Sequence, residues 1–185
     1  NHYENFVDLV QYDVPITAQI LNRYKNFNER VSKNLKIKTV EFTSTKAVKP
    51  YVKPVFDLIN KTYTEIYGFT KLTEDEMTEF AERFLPLLNP KLIKMITDEN
   101  GELLAFIIAM ADLSEAIKNS RGRILPFGWA RILWAMKTSK RLQLLLGAIH
   151  PKYQNKGLDA VLATMLFSSA LKLGFKTVDS HLIMK

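Results

Sequence analysis

The chain has 185 residues, 47% of them apolar, and a net charge of +7, enough for the buried core of one domain with an appendage. It has no cysteine, which excludes disulfides and thiolate metal sites and asks for no oxidising compartment, so a cytoplasmic location is expected. No apolar run reaches the roughly 18 residues of a membrane span, and Asn1 to Glu4 lack a basic-then-apolar leader pattern.

In chain order, Phe6 to Val14 predicts a strand ended by Pro15. Ile16 to Lys33 predicts a helix from the spacing of Ile16, Ile20, Leu21, Tyr24, Phe27 and Val31. Leu35 to Phe42 alternates as a strand, and Pro50 to Tyr67 carries a helical apolar stripe, with both prolines near the first turn and Gly68 as the stop. Thr73 and Glu76 form a capping box that opens a helix with Met77, Phe80, Ala81, Phe84 and Leu88 on its inner face. Leu92 to Ile96 and Leu103 to Met110 read as strands of a hairpin around Asp98-Glu99-Asn100-Gly101, where the Asn-Gly pair favours positive φ. A short helix near Ser114 to Asn119, an aromatic and basic segment from Phe127 to Arg141, a strand Leu142 to Ile149, a helix Gly157 to Leu173 and a strand Thr177 to Met184 complete the pattern. The fold class is therefore α/β, a mixed sheet flanked by helices.

The positive charge is concentrated. Between Ala116 and Leu158 lie nine Lys and Arg and no Asp or Glu, a local field suited to nucleotide phosphates, nucleic acid or an anionic surface. Within this stretch a glycine-containing strand runs through Gly147 into the turn His150 to Gly157, which opens a helix. Turn amides at a helix start lack intrahelical partners and lie at the positive end of the dipole, so they form an anion site. Lys152 and Lys156 add full charges there, and Gly157 is expected to let a phosphate approach with no Cβ in the way.

Gln154-Asn155-Lys156-Gly157-Leu158-Asp159 resembles the acyl-CoA signature of the GNAT acyltransferase superfamily, which is Gln or Arg, two residues, Gly, one residue, then Gly or Ala. Its last position departs, because Asp159 stands where a small residue is expected. The resemblance spans residues 35 to 185 and implies a GNAT-like domain, with 1 to 34 as the end of a preceding lobe of a longer bacterial protein. It implies acetyl-CoA or another acyl-CoA as cosubstrate and an amine acceptor. The main chain of Ala148 and Ile149 would pair with the pantetheine arm, and Gln154, Asn155, Lys156, Gly157, Leu158 and Asp159 would hold the phosphates. The GNAT fold normally continues past its fifth strand with a helix and two strands, so Thr177 to Met184 is expected to expose an edge, which predicts a dimer.

His150 is the candidate acid or base, since an ordinary imidazole pKa suits proton transfer. Arylalkylamine acetyltransferases, which share the superfamily fold, place a His after an Ala-Val pair at the matching position; here Ala148-Ile149-His150 stands there. Glu65 and Asp112 read as surface carboxylates, while Tyr67, Phe69 and Met110 are candidates to line an acceptor pocket. His2 and His181 have no partners at ligand spacing, so no metal is expected. The amphipathic run Phe127 to Lys137 suits a packed helix with one basic edge, and with Trp129 and Trp134 it is compatible with a long-chain donor, as in N-acyl amino acid synthases. A non-catalytic GNAT-like lobe and a basic nucleic-acid module are the competing readings. The second lacks aromatics interleaved with basic residues on a sheet face. Dinucleotide, Walker, zincin and α/β-hydrolase motifs are absent.

Overall fold

The chain is described here by a computed structural model covering residues 9–64, 66, 68–119, 134–180 and 183–184. Glu65, Tyr67, His2, His181 and the segment 120–133, with most of the amphipathic run, lie outside the described residues.

The first elements are two short strands, β1 (Leu9–Val10) and β2 (Asp13–Pro15), followed by α1 (Ala18–Leu35). Thr17 caps α1 through its side chain, and the helix runs through Leu35 until Lys36 adopts a left-handed φ of 51°. The strand expected from Leu35 is therefore shorter, β3 (Lys38–Glu41), because Leu35 is the last residue of α1 and Ile37 follows the left-handed cap, both packing against the core. After the single turn α2 (Thr45–Val48), Pro50 sits in a 3-10 turn and α3 spans Val52–Thr62. It stops short of the expected Tyr67. Asn60 clamps the following loop by exchanging two 2.9 Å hydrogen bonds with the backbone of Leu72. Both halves of the Thr73–Glu76 capping box are formed at the start of α4 (Glu74–Phe84).

The hairpin β4 (Ile93–Thr97) to β5 (Leu103–Ala111) turns at Asp98, whose Oδ1 accepts from the amides of Asn100 and Glu102. Only Gly101 takes a positive φ, of 90°; the side-chain-bonded turn spares Asn100 that conformation. Then come α5 (Ser114–Asn119), one turn α6 (134–138), β6 (Arg141–Ile149), α7 (Leu158–Lys172), β7 (Thr177–Asp179) and β8 (Ile183–Met184). The single final strand expected over Thr177 to Met184 is thus two, and β8 pairs with β1.

The main sheet has six strands in the order β2-β7-β6-β5-β4-β3, antiparallel except for the β6–β7 pair, which α7 connects. Two expectations change here. Of residues 1–34, expected at the end of a preceding lobe, those from 13 onward join this layer structure: β2 pairs with β7, and α1 packs on α7. The outer side of β7 is consequently covered by β2, so the exposed edge that predicted a dimer is filled by the chain's own backbone.

Helices α3 and α4 cover one face of the sheet, with Phe56, Ile59, Met77, Met95, Phe106 and Ile108 among the buried residues there. α1 and α7 cover the other, around Val31, Ile96, Leu104, Leu158 and Leu162. Opposite the step from Ile108 to Ala109, β6 carries one extra residue, Leu145. This bulge puts Leu145 and Leu146 on the α3 side together. Among the described residues no helix is long and apolar enough to cross a membrane.

Candidate functional site

β6 has nine residues and β7 three, and their parallel pairing ends at Gln143 with Asp179. Beyond that point the two strands part. The edge of β6 from residue 144 to 149 has no paired strand among the described residues. His150 donates its backbone N–H to Leu104 on the β5 side at 2.8 Å. Antiparallel groups alternate, so the backbone of Ala148 also faces β5, while Gly147 and Ile149 face the parted side. The expectation of a main-chain site at Ala148 and Ile149 thus shifts to Gly147 and Ile149.

Both carbonyls on that edge have side-chain donors. Tyr63 Oη donates to Gly147 at 2.8 Å, and Gln154 Nε2 donates to Ile149 at 3.3 Å. The cleft they enclose has a volume of about 390 Å³ and is lined by Tyr63, Phe106, Gly147, Ile149, Gln154 and Asp159 among others.

The cleft floor continues into the turn before α7. Asn155 and Gly157 take left-handed φ values of 58° and 86°, which reverse the chain tightly enough to start α7 at Leu158. Gly157 is the N-cap and supplies no side-chain acceptor, so no side chain caps the first-turn amides of α7. Such amides attract an anion. Leu158 contributes only its backbone, since its side chain is buried in the core, whereas exposed Asp159 reaches the cleft wall. Lys156 lies over the Tyr153 ring at 5.1 Å, and Lys152 is exposed beside it.

Gly157 itself serves a different purpose from the one expected. A Cβ there would meet Phe27 Cζ at 2.8 Å and Val31 Cγ2 at 3.1 Å. It points at α1 rather than into the cleft, so the glycine is required by helix packing and positive φ rather than by access of a phosphate.

The side chain of His150 is buried, and the residues lining the cleft do not include it. Its Nδ1 accepts from the Lys152 amide at 3.2 Å, which holds the turn, and its Nε2 lies 2.7 Å from Lys61 Nζ. Burial first, and then the charge of Lys61, pushes its pKa below the ordinary histidine value. The ring is therefore neutral at neutral pH. The Tyr63 hydroxyl lies at the cleft; burial raises its pKa, and the hydrogen bond to Gly147 offsets part of that. In the sequence Tyr63 falls on the apolar stripe of Pro50 to Tyr67, and Lys61 belongs to no motif.

Arg141 shows how the basic stretch subdivides. Its guanidinium lies 2.8 Å from Asp179, 3.1 Å from Asp13 and 3.7 Å from Asp112, so its charge is compensated locally. Asp112 also accepts from the Ser114 amide at 2.9 Å. Burial alone would raise the Asp112 pKa, yet Ser114 and Arg141 hold it below the ordinary value. Lys152 and Lys156, by contrast, stand at the turn itself.

No protein-family model matches the chain. A GCN5-related N-acetyltransferase from Sphaerobacter thermophilus superposes with a TM-score of 0.53 at 8% identity, over 96% of this chain and 51% of that one. The chain has the GNAT fold. By sequence it is similar to a bacterial ceramide synthase from Caulobacter vibrioides, 25% identical over 134 residues, covering 69% of this chain and 35% of the relative. It is also similar to protein YghO of Escherichia coli, 28% identical over 115 residues, covering 61% of this chain and 29% of the relative. The chain thus spans well under half the length of the curated relatives it matches. Within the GNAT fold seen here, the signature-like residues Gln154 to Asp159 occupy the turn into α7, beside the parted strands.

Proposed function

We propose that this chain is the acyl-CoA-binding part of an N-acyltransferase, and that the parted edge of β6 with the uncapped start of α7 holds the cosubstrate. The observation that carries the reading is their adjacency: Gly147 and Ile149 face the same cleft that Gln154 and Asp159 line at the helix start. Edge amides suit the amide-bearing pantetheine arm, in the manner of a strand added to a sheet. The helix start, with Lys152 and Lys156, suits the phosphates. The GNAT fold supports this assignment. A ceramide is an amide of a fatty acid and a long-chain amine, so the name of one relative is also that of an N-acyl product.

The bound acyl-CoA would supply a thioester, whose C–S bond breaks as the acceptor nitrogen forms the new C–N bond. The protein's part is to orient and to move protons. The Gly147 and Ile149 edge fixes the position of the carbonyl, and a backbone N–H on that edge polarises it. Tyr63, protonated and inside the cleft, donates a proton to the departing sulfur, while the proton lost by the amine passes to water at the cleft mouth. His150 acts as a positioning residue, fixing the 151–153 turn through the Lys152 amide. The amine acceptor is defined only by this chemistry.

Titration with CoA, followed through backbone amide shifts, tests the reading. The amides of Gly147, Ile149, Leu158 and Asp159 should move together and saturate at one affinity. Shifts confined to exposed lysines would remove it.

A further inference from the structure

A second cavity, of about 430 Å³, lies between the sheet and helices α3 and α4, within the ~300–1,000 Å³ range of ligand sites. Among the described residues no charged one lines it, and its wall includes Phe56, Met95, Met110 and the bulged pair Leu145 and Leu146. Its rim keeps large apolar side chains in contact with water: Phe80 is 43% exposed, Phe84 39%, Leu87 50% and Leu145 38%. Grouped exposure of this kind is unfavourable for an isolated surface and marks a place where apolar matter is bound.

The chamber lies next to the cleft along the same elements. Phe106 lines the cleft and Ile108 and Met110 the chamber, at successive same-face positions of β5, roughly 6.8 Å apart per step. On β6, Gly147 belongs to the cleft and its neighbour Leu146 to the chamber. On α3, Tyr63 and Ile59 stand one turn apart in the same relation. A chain attached to a carbonyl near Gly147 would run along β5 and β6 under α3. The charged end of the same ligand would lie at the opposite side, on α7.

We infer that this chamber takes the hydrocarbon chain of the acyl donor, so that the site prefers medium- or long-chain aliphatic thioesters to acetyl. The inference rests on the acyl-CoA reading above. It needs no new chemistry, since the same C–S bond is broken whatever the chain length. Each methylene buried contributes about 0.8 kcal/mol, or about fourfold in affinity, and a rim of exposed aromatics would be covered at the same time.

Calorimetry with CoA, acetyl-CoA, octanoyl-CoA and lauroyl-CoA tests this, on the protein itself and on two variants. Ala81→Phe fills the chamber from α4, and Leu145→Gln makes its exposed rim polar without touching the core. Affinity should rise severalfold or more from acetyl to octanoyl in the parent, and both variants should lose most of that gain while binding free CoA as before. Binding of CoA with no dependence on chain length overturns the chamber assignment and leaves the acyl-CoA reading standing. Failure to bind CoA at all removes both. A gain seen with alkylamines of increasing length, and not with thioesters, would give the chamber to the acceptor and also overturn the inference, as would loss of the rim's exposure to self-association.

Discussion

The hydroxyl of Tyr63 donates to the carbonyl of Gly147 across 2.8 Å, tying the C-terminal cap of α3 to the open edge of β6. Helix and strand meet nowhere else through a side-chain hydroxyl at the cleft among the bonds described, so this contact sets the width of the cleft at its inner end. Tyr63→Phe should cost about 0.5–1.5 kcal/mol of stability, the worth of one hydrogen bond. It should lower turnover by about 10² or more if the phenol protonates the leaving sulfur, with little change in CoA affinity. Steady-state rates with denaturation curves on both proteins check the pair of outcomes. A fall in stability with turnover intact would leave Tyr63 a structural role only.

Asp159 sits in the first turn of α7 and faces the cleft. A carboxylate there is favourable for the free helix, because it meets the positive end of the dipole. It is unfavourable for a second anion at the same amides. Asp159→Gly, which also restores the signature residue, should tighten CoA binding by about fivefold, on the order of 1 kcal/mol for one surface charge pair. The thermal midpoint of the free protein should fall slightly. Weaker CoA binding in this variant would mean that the phosphates lie elsewhere.

Gly157 has a φ of 86° and faces α1. Gly157→Ala should destabilise by about 1–2 kcal/mol through the left-handed backbone. Phe27 is 44% exposed and its ring can swing aside, so the backbone dominates the cost. Adding Phe27→Ala should therefore restore little, as a double-mutant cycle in urea would measure. Full recovery in the double variant would show that the close contact, not φ, is the constraint.

His150 has a folded-state pKa below the ordinary 6.5, with burial as the larger cause and Lys61 as the next. As the pH falls through 6.5, the unfolded chain takes up this proton first, and the native state loses stability until the folded value is reached. Above 6.5 the ring is neutral in both states and contributes no pH dependence. His150→Asn keeps an acceptor for the Lys152 amide and removes the titration. Its thermal midpoint should decline less steeply below pH 6.5 than that of the parent, and the two slopes should coincide above it. Equal slopes at low pH would place the imidazole in contact with water.

Lys94 lies on β4 with its side chain buried, bonded to Ser169 Oγ at 2.7 Å and paired with Glu41, which is exposed. Removing the partner should hurt more than removing the charge. Glu41→Gln should destabilise by about 1–3 kcal/mol because a buried ammonium loses its counter-ion, while Lys94→Met should be near neutral or stabilising. Denaturation midpoints of both variants decide between this order and its reverse.

Much of the element order was legible because its signals are local. The Thr73–Glu76 box, the short apolar runs at β4 and β5 and the Gly157 break are each signals carried by neighbouring residues. What escaped depends on partners distant in sequence. Lys94 sits in an apolar run, and nothing local says that its face is the one beneath Ser169. Tyr63 extends an apolar stripe whose helix ends just before it, so its hydroxyl was counted as core. The glycine of the acyl-CoA-like turn was legible as a glycine, but the direction of its missing Cβ is set by α1, more than a hundred positions earlier. Of the expected edge pair, Ala148 turns its backbone to β5 and Ile149 to the cleft, because successive backbone groups of a strand alternate in direction.

The seating of β2 beside β7 has a consequence for how the molecule assembles. Tyr12 and Ser180, joined by a 2.9 Å hydrogen bond from the Tyr12 amide to the Ser180 hydroxyl, are 168 positions apart. During synthesis residues 11–15 leave the ribosome before β7 and wait, without this partner, until the chain between them has been made. Contacts of such separation slow folding. The strand that finishes the sheet is thus the first of its six to be made, and a short edge strand holding Pro15 is a poor template for premature pairing while it waits.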